Sequence, residues 1–484
     1  MIFGGSVGGR IPPGIGAAAA LLLAVLATAR TAAGVETAPA PAAPVPATAP
    51  APAPAPPAAE TAPRTAPAGD NTARPQTVWT LDDVVRIALS RHPLLTKADA
   101  ETEAAEARRG QAKSAYYPTI GLAAEYARTR SLSTQSNASS TVDNKSVAGN
   151  LTQVIADFGR RSASVDRAGA LRDSFRETGR SVRQDVVFAA KVAYFDVLRT
   201  GQILTVQKDT VAQRESLVRQ SRAFYDAGIR ARIDVARSEA NLYGARADLV
   251  SAESAVKVAR VTLLQRMGID WPSDFELSYS ETAGEIPGSL SGWILEAEGN
   301  RPELKALLAQ ERAAENALSA ARAGHNPVLT GAGSYGYAAD DPPLRENYNV
   351  SVLLSFPVFS GFLVHQQVVE AEALLASSRA SVTEERRLIR LDVEQAALGL
   401  EETSQRIEAR RKEKDASDEN LRLATARYQV GAGDIIEMID AQVQAAQSDT
   451  TLIEALYDRE VAAARLLRAI GRGIAGREPA GQPE

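Results

Sequence analysis

The chain has 484 residues, room for two or three ordinary domains, and its 54 basic and 59 acidic residues leave a net charge of −5. That balance argues against a nucleic-acid partner. Cysteine is absent, which excludes disulfides, thiolate metal sites, cysteine nucleophiles and a cysteine-linked lipid.

Residues 1–33 read as a signal peptide. Arg10 supplies the positive charge, Ile15–Leu26 the apolar stretch, and Ala27-Thr28-Ala29 or Thr31-Ala32-Ala33 the small-residue cleavage site. An uncleaved anchor is the alternative, but about a dozen apolar residues are short for a transmembrane helix. No later stretch approaches 18 apolar residues, so any membrane crossing is by strands. Residues 34–78, rich in alternating Ala and Pro, read as a disordered linker.

A first repeat is expected over 79–267. Thr80 N-caps a helix with Asp82 and Asp83 in its first turn. Helix continues to about residue 115, interrupted at His92-Pro93 and stopped by Tyr117-Pro118. Alternation then predicts a strand over 119–131, with Ile120, Leu122, Ala124 and Tyr126 on one face. Residues 132–146 read as a polar loop, and a weaker strand is expected over 147–157. A helix of about 67 residues follows to Ala227, on the order of 100 Å long. Gly228 breaks it, and helix resumes over 233–267 with the seam Leu242, Ala245, Leu249, Ala252, Val256, Ala259, Leu263.

A connector over 268–289, with a short strand near Phe275–Tyr279, leads to a second repeat over 290–472. Arg301-Pro302 stands where His92-Pro93 stood, and Asn326-Pro327 where Tyr117-Pro118 did. Strands are expected over 328–337 and 348–358, the second placing Tyr348, Val350, Val352, Leu354 and Phe356 on one face. A long helix runs over 362–430. After Gly431–Gly433 a last helix carries Ile439, Val443, Ala446, Thr450, Ile453 and Tyr457 as its seam, and 473–484 reads as a disordered tail. Tyr428, Gly431, Glu437 and Gly471 each stand 203 residues after Tyr225, Gly228, Asp234 and Gly268. The pattern is an internal duplication built around two helix–Gly turn–helix tips.

Each long helix can lie beside two shorter ones stacked end to end, giving a rod with four strands at one end. Four strands leave two open edges and an exposed apolar face. They cannot close a barrel alone, since about eight is the lower limit; a trimer supplies twelve. The fold class expected is therefore mostly α with a small β part. Closure, the signal peptide and the lack of any transmembrane helix point together to an oligomeric barrel in an outer membrane.

With these features the chain resembles the TolC-type outer-membrane efflux and secretion family over about residues 79–472. The carriers are Leu81–Pro93, Tyr117-Pro118, Arg301-Pro302-Glu303-Leu304, the strand-to-helix entry Leu354-Ser355-Phe356-Pro357-Val358-Phe359-Ser360-Gly361 and the two Tyr-x-x-Gly tips. The resemblance implies a homotrimeric 12-stranded outer-membrane β-barrel, four strands per protomer, continued by a long α-helical coiled-coil periplasmic tunnel, in the outer membrane of a Gram-negative bacterium and extending into the periplasm. It implies a passive exit duct for tripartite efflux or type I secretion, opened by a periplasmic adaptor protein and an inner-membrane transporter. Ala227, Gly228, Ile229, Val430, Gly431 and Ala432 resemble adaptor-contacting tips. Glu437 and Asp440 match acidic positions at the tunnel entrance. Asp234 and Tyr428 match positions whose polar links hold it shut. Gly433 departs from the members that carry Arg there, and Arg230 and Arg232 are expected to supply the counter-charge.

No cofactor or metal site is expected, and an enzyme is disfavoured because His92, His325 and His365 share no ligand spacing. The rival reading is a periplasmic coiled-coil adaptor or structural protein without a barrel. It explains the helices but not two strand pairs at matching points of a duplication.

Overall fold

The structure, a computed structural model, describes residues 77–133, 138–270, 275–279, 286–339 and 343–472. The signal segment, nearly all of the Ala/Pro linker, most of the connector including Trp271-Pro272, Asp340–Pro342 and the tail lie outside the described residues.

Strand β1 (Thr77–Trp79) precedes helices α1 (Leu81–Arg91) and α2 (Pro93–Ser114). The Thr80 hydroxyl accepts from the Asp83 N–H, and the Asp83 carboxylate accepts from the Thr80 N–H, closing a capping box. The antiparallel strands β2 (Thr119–Ser133) and β3 (Ala138–Ala156) lead into α3 (Arg160–Asp226), and α4 (Arg232–Met267) folds back. Strand β4 (Phe275–Leu277) pairs in parallel with β1, and Phe275 stacks on Trp79 at 4.7 Å.

The second repeat follows with α5 (Leu290–Asn300), α6 (Pro302–Arg322), β5 (Val328–Ala339), β6 (Arg345–Ser355), α7 (Leu363–Gln429) and α8 (Ile435–Ile470). The duplication extends to helix length. Helices α3 and α7 each have 67 residues, and α4 and α8 each have 36. Both interruptions place an extended residue before a helix-starting Pro, His92 (φ −69°, ψ 123°) and Arg301 (φ −63°, ψ 123°).

The cores are narrow seams between helices. Val84, Tyr194, Leu263 and Met267 are fully buried in the first repeat, and Ile389, Leu466 and Ile470 in the second. The α4 seam read from the sequence faces inward throughout. The α8 seam is a correction: Val443 is 51% exposed, while Ala441, Gln442, Ala445 and Ser448 are buried. Helix α8 packs against α3 as well as α7, and small residues allow that close approach. The apolar spacing alone favoured the larger side chain.

The second sheet has the order β2-β3-β5-β6, all antiparallel. Within the range 132–146, expected as a polar loop, the described residues are instead strand, with pairing continuing to Ser133↔Ala138. Backbone hydrogen bonds sustain that ribbon without an apolar face. Strand β6 ends at Ser355, so Phe356 lies beyond it, before the Pro357 that cannot extend the ladder.

Opposed residues of an antiparallel sheet share a face, and the register sorts the side chains. Rows Ile120–Leu151–Gly333–Val350 and Leu122–Gly149–Tyr335–Tyr348 lie on one face. Rows Gly121–Asn150–Ser334–Asn349 and Ala123–Ala148–Gly336–Asn347 lie on the other. One face is apolar and aromatic; the other is small and polar. Tyr348, Val350, Val352 and Leu354 are all exposed in the protomer, Val350 at 84%. Gly336 is required by close approach, since a Cβ there would lie 2.1 Å from the Val147 carbonyl oxygen and 2.6 Å from the Ala148 Cα. Gly336→Ala is expected to destabilise the sheet by about 1–3 kcal/mol, read as a lower melting temperature of the purified protein. Unchanged melting would show that β3 yields freely.

Candidate functional site: the paired helix tips

The two tips are built alike. Gly228 (φ +73°) and Gly431 (φ +75°) take the left-handed conformation that ends α3 and α7. The Gly228 N–H donates to the Tyr225 carbonyl at 2.9 Å and the Ile229 N–H to that of Phe224 at 2.9 Å. In the second tip the Gly431 N–H donates to Tyr428 at 3.2 Å and the Ala432 N–H to Arg427 at 2.9 Å. Each pattern is a Schellman cap, which satisfies two carbonyls that the helix end leaves open. Ala227, Gly228, Ile229, Val430, Gly431 and Ala432 are all exposed.

Beneath the turns lies a small core of Leu217, Tyr428, Ile435, Met438 and Ile439, with Phe224 and Leu421 packed against it. It pins the two helix pairs together inside one protomer. Tyr428 is 0% exposed and Asp234 is 7% exposed. The Tyr428 hydroxyl has no hydrogen-bond partner among the described residues. Burial, and then the Asp234 carboxylate, raise the Tyr428 pKa above the ordinary phenol range, with Arg230 pulling the other way.

Arg230 joins the tips. Its Nη2 donates to the Gly433 carbonyl at 2.6 Å and to that of Gly431 at 3.3 Å. Its guanidinium carbon stands 5.6 Å from the centre of the Tyr428 ring. Arg230 and Gly433 are themselves 203 residues apart, so the link joins equivalent positions of the two repeats. Gly433 is buried, and a Cβ there would meet the Arg427 Cβ and the Tyr428 nitrogen at 3.1 Å. Arg232 is exposed on the first turn of α4 and makes no link between the tips among the described residues. Glu437 and Asp440 are exposed one helical turn apart on α8. Glu437 faces the guanidinium of Arg427, Nε to Oε1 at 3.4 Å. Asp440 has no ion-pair partner among the described residues.

A family model described as outer membrane efflux protein matches residues 84–269 and 293–472, taking in both repeats and both tips. The chain belongs to the outer membrane efflux protein family. Protein CyaE of Bordetella pertussis is 26% identical over 440 residues, 86% of this chain and 92% of that protein. Outer membrane protein TolC of Escherichia coli K12 is 24% identical over 413 residues, 81% of this chain and 82% of that one. Outer membrane efflux protein BepC of Brucella suis is 27% identical over 365 residues, 75% and 78% respectively. The solved Campylobacter jejuni CmeC outer membrane channel aligns with a TM-score of 0.74 at 16% identity, over 81% of this chain and 86% of that chain. VceC of Vibrio cholerae aligns at 0.71 and 17% identity, over 81% and 96%.

Within this efflux-family fold, the sequence reading missed Arg427 as the partner of Glu437. The signal was opposite charges flanking a Gly turn. It also missed the buried pair of Arg214, which donates to Gln442 Oε1, joining α3 to α8. It missed the Ser221–Ser238 hydroxyl contact at 2.7 Å, which joins α3 to α4. Both pairs depend on how the helices are rotated, which periodicity leaves open.

Proposed function

We propose that the protein is a passive exit duct of the outer membrane, serving efflux or type I secretion, and that it works as a homotrimer. The carrying observation is the two-faced, four-stranded sheet with open edges β2 and β6, joined to helices of 67 residues. Three copies close a 12-stranded barrel, removing every edge. Its apolar face, with Tyr348, Val350, Val352 and Leu354, meets lipid; the Gly, Ala, Ser and Asn face lines a wide, weakly charged lumen. Phe356 joins Phe359 and Phe362, both exposed, in an aromatic girdle at the helix end of the barrel.

The helices carry the duct about 100 Å into the periplasm. There the exposed turns Ala227–Ile229 and Val430–Ala432 meet an adaptor, which connects the duct to an inner-membrane transporter. Arg230 holds the two tips of each protomer together, and three copies of Glu437 and Asp440 ring the entrance. Asp234 and Tyr428, buried beside Arg230, belong to the polar links that hold the entrance shut, and the Tyr428 hydroxyl has no hydrogen-bond partner among the described residues. The duct performs no reaction of its own. Fractionation tests this reading: outer-membrane trimers that dissociate only on heating are expected, and a soluble monomer would replace the duct with a coiled-coil adaptor.

A further inference from the structure

The outward face of the sheet changes character at one level, and that level carries an unassigned set of cations. From the row Leu329–Leu354 at the helix end to the row Tyr126–Lys145–Ala339 there are five steps of two residues. At about 3.3 Å per residue and a tilt near 40°, they span about 25 Å, the height of the apolar band of a membrane barrel. Aromatic side chains mark both borders. Phe158, Phe356, Phe359 and Phe362 lie at the helix end, and Tyr126, Tyr335, Tyr337 and Tyr348 at the other; all are exposed in the protomer.

Immediately beyond the second border the same face carries Lys145, then Arg128 opposite Asp143, then Arg130 opposite Thr141. Arg128 Nε lies 3.3 Å from Asp143 Oδ1. Arg130 Nη2 donates to the neutral Ser139 hydroxyl at 3.2 Å and has no carboxylate partner among the described residues. Lys145 has no carboxylate partner among the described residues. Glu346, one row inside, stands opposite Tyr337 on the same face. Two cations per protomer thus stand uncompensated at headgroup height, on adjacent strands. At the helix end Arg161 is half-buried and paired with Asp157 at 3.1 Å, and exposed Arg160 donates to the Ala323 carbonyl at 3.4 Å.

From this we infer that Lys145, Arg128 and Arg130 form a binding site for a phosphate group of the phosphorylated glycolipid in the outer leaflet, its acyl chains lying on the Leu122–Tyr348 face. A guanidinium holds phosphate through paired N–H donors, and a lysine at the border reaches the headgroup while its stem stays in the apolar layer. Such a site fixes the height of the barrel in the membrane. It lies on edge strand β2, so bound lipid also covers the seam between protomers. The inference rests on the trimeric barrel proposed above.

The test uses the purified full-length protein in detergent. Native mass spectrometry compares retention of bisphosphorylated lipid A with that of its dephosphorylated form. The wild type is expected to retain the phosphorylated form at least tenfold better, with the preference falling as salt rises. Arg130→Gln with Lys145→Gln is expected to abolish the preference, and Arg345→Gln, on the lumen face, to leave it intact. Equal retention of the two lipids by wild-type trimers would overturn the site, as would displacement by inorganic phosphate at equal concentration. If the double variant does not assemble, the wild-type lipid comparison and Arg345→Gln still decide. Absence of trimers in the wild type would defeat the barrel itself, a result distinct from trimers without lipid preference.

Discussion

Arg230→Ala is expected to leave the periplasmic entrance open, raising single-channel conductance in planar bilayers several-fold. Arg230 makes two hydrogen bonds to carbonyls of the opposite tip, at 2.6 and 3.3 Å, and stands over Tyr428. A hydrogen bond from a charged group contributes about 1.5–3 kcal/mol when buried; at this half-exposed turn about 1 kcal/mol per protomer is the safer figure. In the proposed trimer, three protomers are then expected to supply about 3 kcal/mol in favour of the closed entrance, on the order of a 150-fold population ratio. Arg230→Lys is expected to close poorly, since one ammonium cannot span two carbonyls and stack on a ring. Wild-type conductance in Arg230→Ala would show that the inter-tip bonds do not hold the gate. Arg232→Ala is the matched control: Arg232 is exposed and joins nothing across the tips, so its loss is expected to leave conductance unchanged.

The contrast between Arg230 and Arg232 shows where sequence reading stops. Both arginines follow the same Gly turn, and composition gives no reason to prefer one. The Schellman cap decides, because it aims residue 230 across the protomer toward the second tip, while residue 232 begins the outer face of α4. The duplication, by contrast, was legible down to single residues. Pro at an offset of 209 and Gly and Tyr at 203 mark the helix breaks and tips of both repeats, so helix ends copy faithfully. The strands were legible where one face is apolar and illegible where both faces are polar. The β2–β3 ribbon past Tyr126 carries Ser, Thr and Asn on both sides, and only its hydrogen-bond ladder makes it a strand. The α8 seam was misread at Val443 for a related reason: a helix packed on two neighbours buries small residues.

The entrance carboxylates lead to the second large effect. Glu437 and Asp440 share one face of α8, but only Glu437 meets a cation, Arg427 at 3.4 Å. Both members of that pair are exposed, so screening leaves the pair worth little in stability. Its consequence is electrostatic: Arg427 cancels most of the field of Glu437 at the aperture, while Asp440 stays uncompensated. In the proposed trimer, three copies of Asp440 are expected to dominate the attraction for cations at the entrance. Block of the channel by a divalent cation is expected to weaken about tenfold in Asp440→Asn and only two- to threefold in Glu437→Gln. Arg427→Gln is expected to act in the opposite direction, tightening block by freeing the Glu437 charge. Conductance measured against divalent-cation concentration orders the three variants. Equal weakening by Glu437→Gln and Asp440→Asn would show that Arg427 does not neutralise its partner in the assembled entrance. Unchanged block in all three would remove the ring of carboxylates from the gate and place the cation barrier elsewhere along the duct.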